Sequence, residues 1–535
     1  MATPNIVPRA DSEGGLGTAS KYWASAYIDT VNTAALAATT VNGIPFYKDG
    51  NSIYTHDVSG TDDNAVNNTA YGITAMDAIT TGDSNVAVGY FAGSALTSGS
   101  SNVLVGKDAG DSLTAGARNV AIGTDALQSE NDHGRNVAIG YEALLTQDAG
   151  ADAHNVAIGY QAGVSVTTGV ENTLLGGKAG DALTTGSYNV AIGLDALDAE
   201  DTGSRNIAIG YNSLKALNYD GDGYNVAIGF DAGKAVSTGT ENTIIGGLAG
   251  DALTIGKHNV AIGYQALSSA NAGDFSVAIG HSALREQSGG SAGDNFYNTA
   301  VGYDAGKSMT TGTSNTILGA TSGDAMTEGV LNALVGYNSG GAITTAVSNT
   351  LVGGHAGRAI TTGGGNVALG YATLFLQGSN GSYSTAIGYK ALEDQNISSQ
   401  SHNVAVGYYA GRGITTGKEN TLIGSEAGDA LTTGTENTVL GYQALSAAQT
   451  SHANVAIGHQ SLALQSADGY TFNTAVGYNS GQQVTSGSQQ VIIGAYAGDA
   501  LTTGAQNVAI GYKALTGEDT GNKNIAIGTN ALEVL

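Results

Sequence analysis

The side chains of this 535-residue chain with the capacity for chemistry are 9 histidines, 45 carboxylates and 26 tyrosines; there is no cysteine to serve as a nucleophile or metal thiolate. The histidines, among them His133, His281 and His459, are scattered, and none stands at metal-ligand spacing with a third ligand nearby in the sequence. They read as isolated surface groups. The string Gly176-Gly177-Lys178-Ala179-Gly180 lacks the Gly-Lys-Ser/Thr order and the following helix of a phosphate loop. Its glycines read as turns. Asp111, Asp181, Asp251, Asp324, Asp429 and Asp499 share a Gly-Asp-Ala/Ser-Leu/Met context, for which turn capping is expected rather than an ion site. Glycoside hydrolysis needs two carboxylates about 5 to 10 Å apart, and nothing in the sequence singles out such a pair. The reading is non-enzymatic, with no catalytic residue, metal or cofactor assigned.

The richest local mixtures of ring and carboxylate are Tyr219, Asp220, Asp222 and Tyr224; Asp294, Phe296 and Tyr297; and Asp468, Tyr470 and Phe472. Aromatic faces cover the C–H surfaces of sugars and carboxylates accept hydroxyl hydrogen bonds, so these are the candidate binding residues. Packing over the edge of a scaffold competes with that reading.

The scaffold follows from internal repetition. From Asn85-Val86-Ala87-Val88-Gly89 to Asn524-Ile525-Ala526-Ile527-Gly528, the pattern Asn-Val-Ala-Ile-Gly recurs about 26 times, mostly 17 residues apart. Gly89, Gly159 and Gly229 are spaced 70 residues apart, so four coils form a super-repeat, with extra coils between Gly302 and Gly407. Val-x-Ile alternates at the period of a strand with one face buried. The coil glycine and Thr-Thr-Gly, as in Thr184-Thr185-Gly186, supply turns where positive φ is needed. Each coil therefore reads as two short strands joined by tight turns, stacked in register so that neighbours continue the core. Asn85, Asn102, Asn119, Asn136 and their counterparts are expected to form a carboxamide ladder along the stack; Ser276, Ser384 and Gln490 stand in that column instead of Asn. Tyrosines after the coil glycine, such as Tyr141, Tyr160 and Tyr264, read as packing aromatics. Extra residues enter at 145–154, 215–224, 285–297, 393–402 and 463–472 and are expected on one side of the rod.

The fold class expected is thus all-β, a parallel β-solenoid or β-roll of about 26 coils over residues 85–535, preceded by an attachment segment at 1–40 and a transition region at 41–84. Gly at 82 residues with only 3 Pro excludes collagen, and a net charge of −26 with no basic run argues against nucleic acid. Neither an export signal nor a stretch long enough for membrane insertion is visible. The thin aliphatic core predicts association into a parallel homotrimer. Leu532, Val534 and Leu535 are expected to cover the last open strand edge or to meet a distal protein.

Asn-Val-Ala-Ile-Gly-x-x-Ala resembles the head repeats of trimeric autotransporter adhesins, which implies a left-handed parallel β-roll in a homotrimer over about residues 85 to 535. The stretch from Leu16 to Tyr27, Leu-Gly-Thr-Ala-Ser-Lys-Tyr-Trp-Ala-Ser-Ala-Tyr, resembles a segment near the start of bacteriophage tail-fibre and appendage proteins. Together they imply a virion appendage anchored to a tail or capsid protein through its N-terminus and presented to a host surface glycan or protein. The alternatives are a bacterial surface adhesin and a glycan-depolymerising tailspike.

Overall fold

The computed structural model describes residues 39–41, 44–49, 51–55, 63–289, 293–517 and 519–533. The segment around Trp23, most of the expected attachment region, and Val534 and Leu535 fall outside these residues. Among the described residues there is no helix, hence none that is long and apolar enough to cross a membrane.

Three-residue strands, one per coil, form a single continuous parallel ladder from Thr69–Tyr71 to Ile525–Ile527. The register is strict: Val120 faces Val137, Ala121 faces Ala138 and Ile122 faces Ile139. The alternation in Val-Ala-Ile decides which way the strand faces. Ala121 and Ala138 have no exposure, while the flanking Val and Ile point outward and are half-buried or exposed. About 27 coils stack in this way. At about 4.8 Å per strand the ladder is about 125 Å long.

Three features depart from expectation. First, each repeated coil contributes one strand to this ladder, not two. The remainder is turn, although it too is bonded from coil to coil, as in Thr80 N–H to Thr97 O at 2.9 Å and Gly93 N–H to Ala109 O at 2.9 Å. Secondly, the stack begins one coil earlier, at Asn68-Thr69-Ala70-Tyr71-Gly72, inside the expected transition region. There a hairpin of Ile44–Asp49 and Ser52–Tyr54 pairs antiparallel, and its second strand joins the ladder in parallel against Thr69 and Ala70. The hairpin thereby covers the strand edge at the start of the stack. Thirdly, the two glycines of a coil serve different purposes. Gly123 adopts φ 138°, open essentially to glycine alone, and a Cβ there would lie 2.2 Å from Gly140 O. Gly186 of the Thr-Thr-Gly turn does not need positive φ; its Cβ would lie 2.3 Å from Gly203 O, so close stacking excludes a side chain.

Two coil types share the core. In one, a left-handed glycine leaves room for an aliphatic residue three positions later: a Cβ on Gly110 would stand 2.7 Å from Leu113 Cδ1. In the other, leucine itself takes the left-handed position, as at Leu127 with φ 52°, and the residue three positions on can become polar, as at Glu130. The super-repeat is two coils of each type, and the extra coils between Gly302 and Gly407 are of the glycine type.

Beside the aliphatic core runs the amide ladder. Asn102 donates its backbone N–H to Asn85 Oδ1 at 2.9 Å and its Nδ2–H to the same oxygen at 3.1 Å, while a second Nδ2–H reaches Gly116 O at 2.8 Å. Asn119 and Asn136 continue it, each backbone N–H bonding the Oδ1 of the asparagine before it. At its start, buried Ser52 Oγ accepts the Asn68 N–H. Where serine interrupts the column, a buried glutamine 11 residues on spans the gap. Gln287 Nε2 donates to Ser276 Oγ at 2.8 Å and Gln287 Oε1 accepts from Asn298 Nδ2 at 3.1 Å. Gln395 makes the same pair of bonds to Ser384 and Asn403.

Candidate functional site

The five longer loops all begin five residues after a coil glycine, at Gly140, Gly210, Gly280, Gly388 and Gly458, so in-register stacking brings them to the same side of the coil. Four of them add a bridge to the coil beneath: Ser204 to Asp222, Asp274 to Asn295, Ser382 to Gln400, and Ser451–His452 to Gly469–Tyr470. Consecutive loops separated by four coils are about 19 Å apart along the axis.

The candidate binding residues on these loops are mostly engaged with their neighbours. Tyr219 is partly buried against the core. Asp220 Oδ1 accepts the Thr202 hydroxyl at 2.7 Å. Asp222 pairs with Arg205 and accepts the Tyr224 hydroxyl at 3.3 Å; the Arg205 guanidinium lies over both Tyr188 and Tyr224. In the next loop Phe296 is only 4 % exposed and packs over Gly273, so it offers no ring face to solvent. Tyr297 is exposed and stacks on Phe275 at 5.4 Å. Asp294 and Phe296 line an open depression of about 260 Å³ with Asn295, Thr311 and Thr313. In the last loop Asp468 accepts the Thr450 hydroxyl, and Tyr470 lies between His452 and Phe472 with centroids at 4.9 and 5.4 Å. The structure thus brings each trio or quartet together, with at least one face of Tyr224, Tyr297, Tyr470 and Phe472 covered by a neighbouring side chain.

A second aromatic column follows the coil glycines. Tyr141 stacks on Tyr160 at 5.5 Å, and Tyr371, Tyr389 and Tyr408 follow one another at 5.6 Å. These rings are exposed at their edges and packed face to face along the axis, as stacking partners rather than open platforms.

The aspartates of the Gly-Asp-Ala turns lie partly buried against their own backbone. Burial raises the carboxyl pKa of Asp251, Asp324 and Asp429, an effect their own turn backbone opposes, and Asp251 Oδ1 and Asp429 Oδ1 are buried without a hydrogen-bond partner. Asp181 differs because Asp198 of the next coil hydrogen-bonds to it; burial and that contact push its carboxyl up to about 6.

One grouping escaped sequence reasoning. Contrary to the expectation that no histidine has a third ligand at hand, Glu130, His133 and Asp148 each place one donor atom within 4.8 Å of the others. Glu130 and His133 lie in one coil, and stacking supplies Asp148 from the next. The signal was present only as register: Asp148 follows Glu130 by 18 residues, one coil and one position. Glu130 is fully buried, and loss of hydration pushes its carboxyl up to about 7.

Compared with known proteins, the chain matches no family model, and no curated protein matches it.

Proposed function

We propose that this chain is the shaft of a homotrimeric bacteriophage fibre that carries a host-binding surface away from the particle. The observation that carries the reading is the uninterrupted stack: one strand ladder from Thr69 to Ile527 without a break, an architecture suited to spacing and display rather than to enclosing a substrate. Its N-terminal resemblance to tail-fibre and appendage proteins supports the virion assignment.

The outer strand face supports self-association. Ile122, Leu175, Leu318, Leu369, Leu440 and Ile493 stand on it with 36–47 % of their surface exposed. A face about 125 Å long and about 10 Å wide amounts to on the order of 1,200 Å², which the apolar side chains share with outward threonines such as Thr173, Thr299 and Thr438. A typical monomer's largest apolar patch is about 300–600 Å², and a stable interface takes about 800 Å² from each partner. Another copy of the same ladder is the partner whose side chains repeat at the same 4.8 Å interval along that whole length. In this arrangement the five loops repeat along the shaft, and weak contacts from several of them add up through avidity.

The test is host-cell adsorption by trimers in which the loop at 285–297, and then all five loops, are shortened to the 17-residue coil. Loss of adsorption with an unchanged trimer mass by light scattering is the expected result. Unchanged adsorption after all five are shortened removes the loops from recognition, and a monomeric mass at micromolar concentration removes the trimer.

A further inference from the structure

We propose that Glu130, His133 and Asp148 form a binding site for one zinc-class divalent cation, which ties two successive coils together. Two carboxylates and an imidazole present three donor atoms within 4.8 Å of one another, and His133 Nδ1 lies 3.8 Å from Glu130 Oε1. His133 Nδ1 is itself buried and has no hydrogen-bond partner, although it belongs to a side chain that is 29 % exposed. A ring nitrogen inaccessible to water and facing a carboxylate without a bond is the feature that a cation would satisfy. Exposed Asp148 leaves the site open on one side, where water completes a tetrahedral shell. The imidazole selects a first-row transition ion or zinc over Ca²⁺ and Mg²⁺, which take oxygen ligands.

The repeat supplies an internal control. One super-repeat later the same buried position is Glu200, but the residues equivalent to His133 and Asp148 are Gly203 and Asn218. There the carboxylate is held by backbone alone, accepting the Gly203 N–H at 2.6 Å and the Tyr219 N–H at 3.3 Å. At Glu130 the corresponding bond from His133 N–H is 3.3 Å, and Asn136 Nδ2 stands at 3.5 Å. A buried glutamate at this place therefore needs neither histidine nor aspartate to fold. The two ligating side chains are additions confined to one rung.

The test uses the full chain, stripped of metal and titrated with Zn²⁺ by calorimetry, with zinc-edge X-ray absorption on the loaded protein. The variant His133→Gly/Asp148→Asn reproduces the Gly203 and Asn218 coil and so keeps a precedent for folding. Wild type is expected to take one zinc per chain with one imidazole and at least two oxygens in the first shell. Because second-shell changes alone cost about 10–100-fold in metal affinity, the variant, which loses two ligands, should bind at least about 100-fold more weakly. Excess Ca²⁺ should not displace the zinc. Absence of zinc binding by wild type, a first shell without imidazole, or equal affinity in the variant would each overturn the proposal; the spectrum of wild type decides even if the variant misfolds.

Discussion

Replacing Asn349 by alanine removes one rung from the middle of the amide ladder and tests how the stack is held. The side chain makes four bonds: Nδ2 to Asn332 Oδ1 at 3.1 Å and to Gly363 O at 2.9 Å, and Oδ1 from both the backbone N–H and the Nδ2 of Asn366 at 3.0 Å. Asn332 Oδ1 keeps the Asn349 N–H, and Asn366 Nδ2 keeps Gly381 O. Two buried backbone groups, the Gly363 carbonyl and the Asn366 N–H, lose these partners. At about 1–3 kcal/mol for each unsatisfied group, plus the space left by the carboxamide, the local cost is about 3–6 kcal/mol. Because a coil touches only its neighbours, that cost is confined to the coils around it. Amide hydrogen exchange is the assay. At about 1.4 kcal/mol per tenfold, exchange at Asn366 should accelerate by about 10² to 10⁴, while Asn119, many coils away, is unchanged. Acceleration below tenfold at Asn366, or equal acceleration at Asn119, would show that the amide rung does not hold the stack locally.

Gln490→Asn should stabilise the stack by about 1 kcal/mol, because Gln490 occupies an asparagine position with its Oε1 buried and unpartnered; a lower melting temperature would contradict this. Gly336→Ala should disrupt its coil, since the added Cβ would meet the Gly353 carbonyl carbon and oxygen at 2.6 Å with φ at 130°; circular dichroism and proteolysis at 336–353 report it, and native-like resistance would count against the close stacking. Acidification should stabilise the protein. The carboxyls of Glu130 (about 7), Asp181 (about 6), Asp251, Asp324 and Asp429 are raised above their unfolded values. The folded chain then binds more protons, so the contribution of Glu130 and Asp181 is fully present below about pH 4 and is lost as pH rises through about 6–7, with the three other aspartates acting in the same direction. Calorimetry should give a higher Tm at pH 5 than at pH 7.5, and a Tm that rises from pH 5 to pH 7.5 would contradict the assignment.

The strand was legible in the sequence because Val-Ala-Ile alternates at period two, but that period leaves open which face is buried, and the structure puts the small Ala121 inside and Val120 and Ile122 outside. The amide column was legible for the same reason, being a single residue type at a fixed interval. What was not legible depends on contacts between coils. Gly186 reads as a turn residue until the approach of Gly203 O shows why no Cβ fits. Asn68 to Gly72 hid because Tyr71 replaces the usual aliphatic residue. Gln287 and Gln395 look like surface amides in a linear sequence, yet each is buried and spans a serine gap. Glu130, His133 and Asp148 are a site only once register folds one coil onto the next.

Electron cryo-microscopy of the purified full chain decides whether the coils stack into a shaft. The particle should be a rod whose stacked region is about 125 Å long, with a layer spacing near 4.8 Å along its axis. A compact particle about 60 Å across, the size of a 535-residue globule, would contradict it.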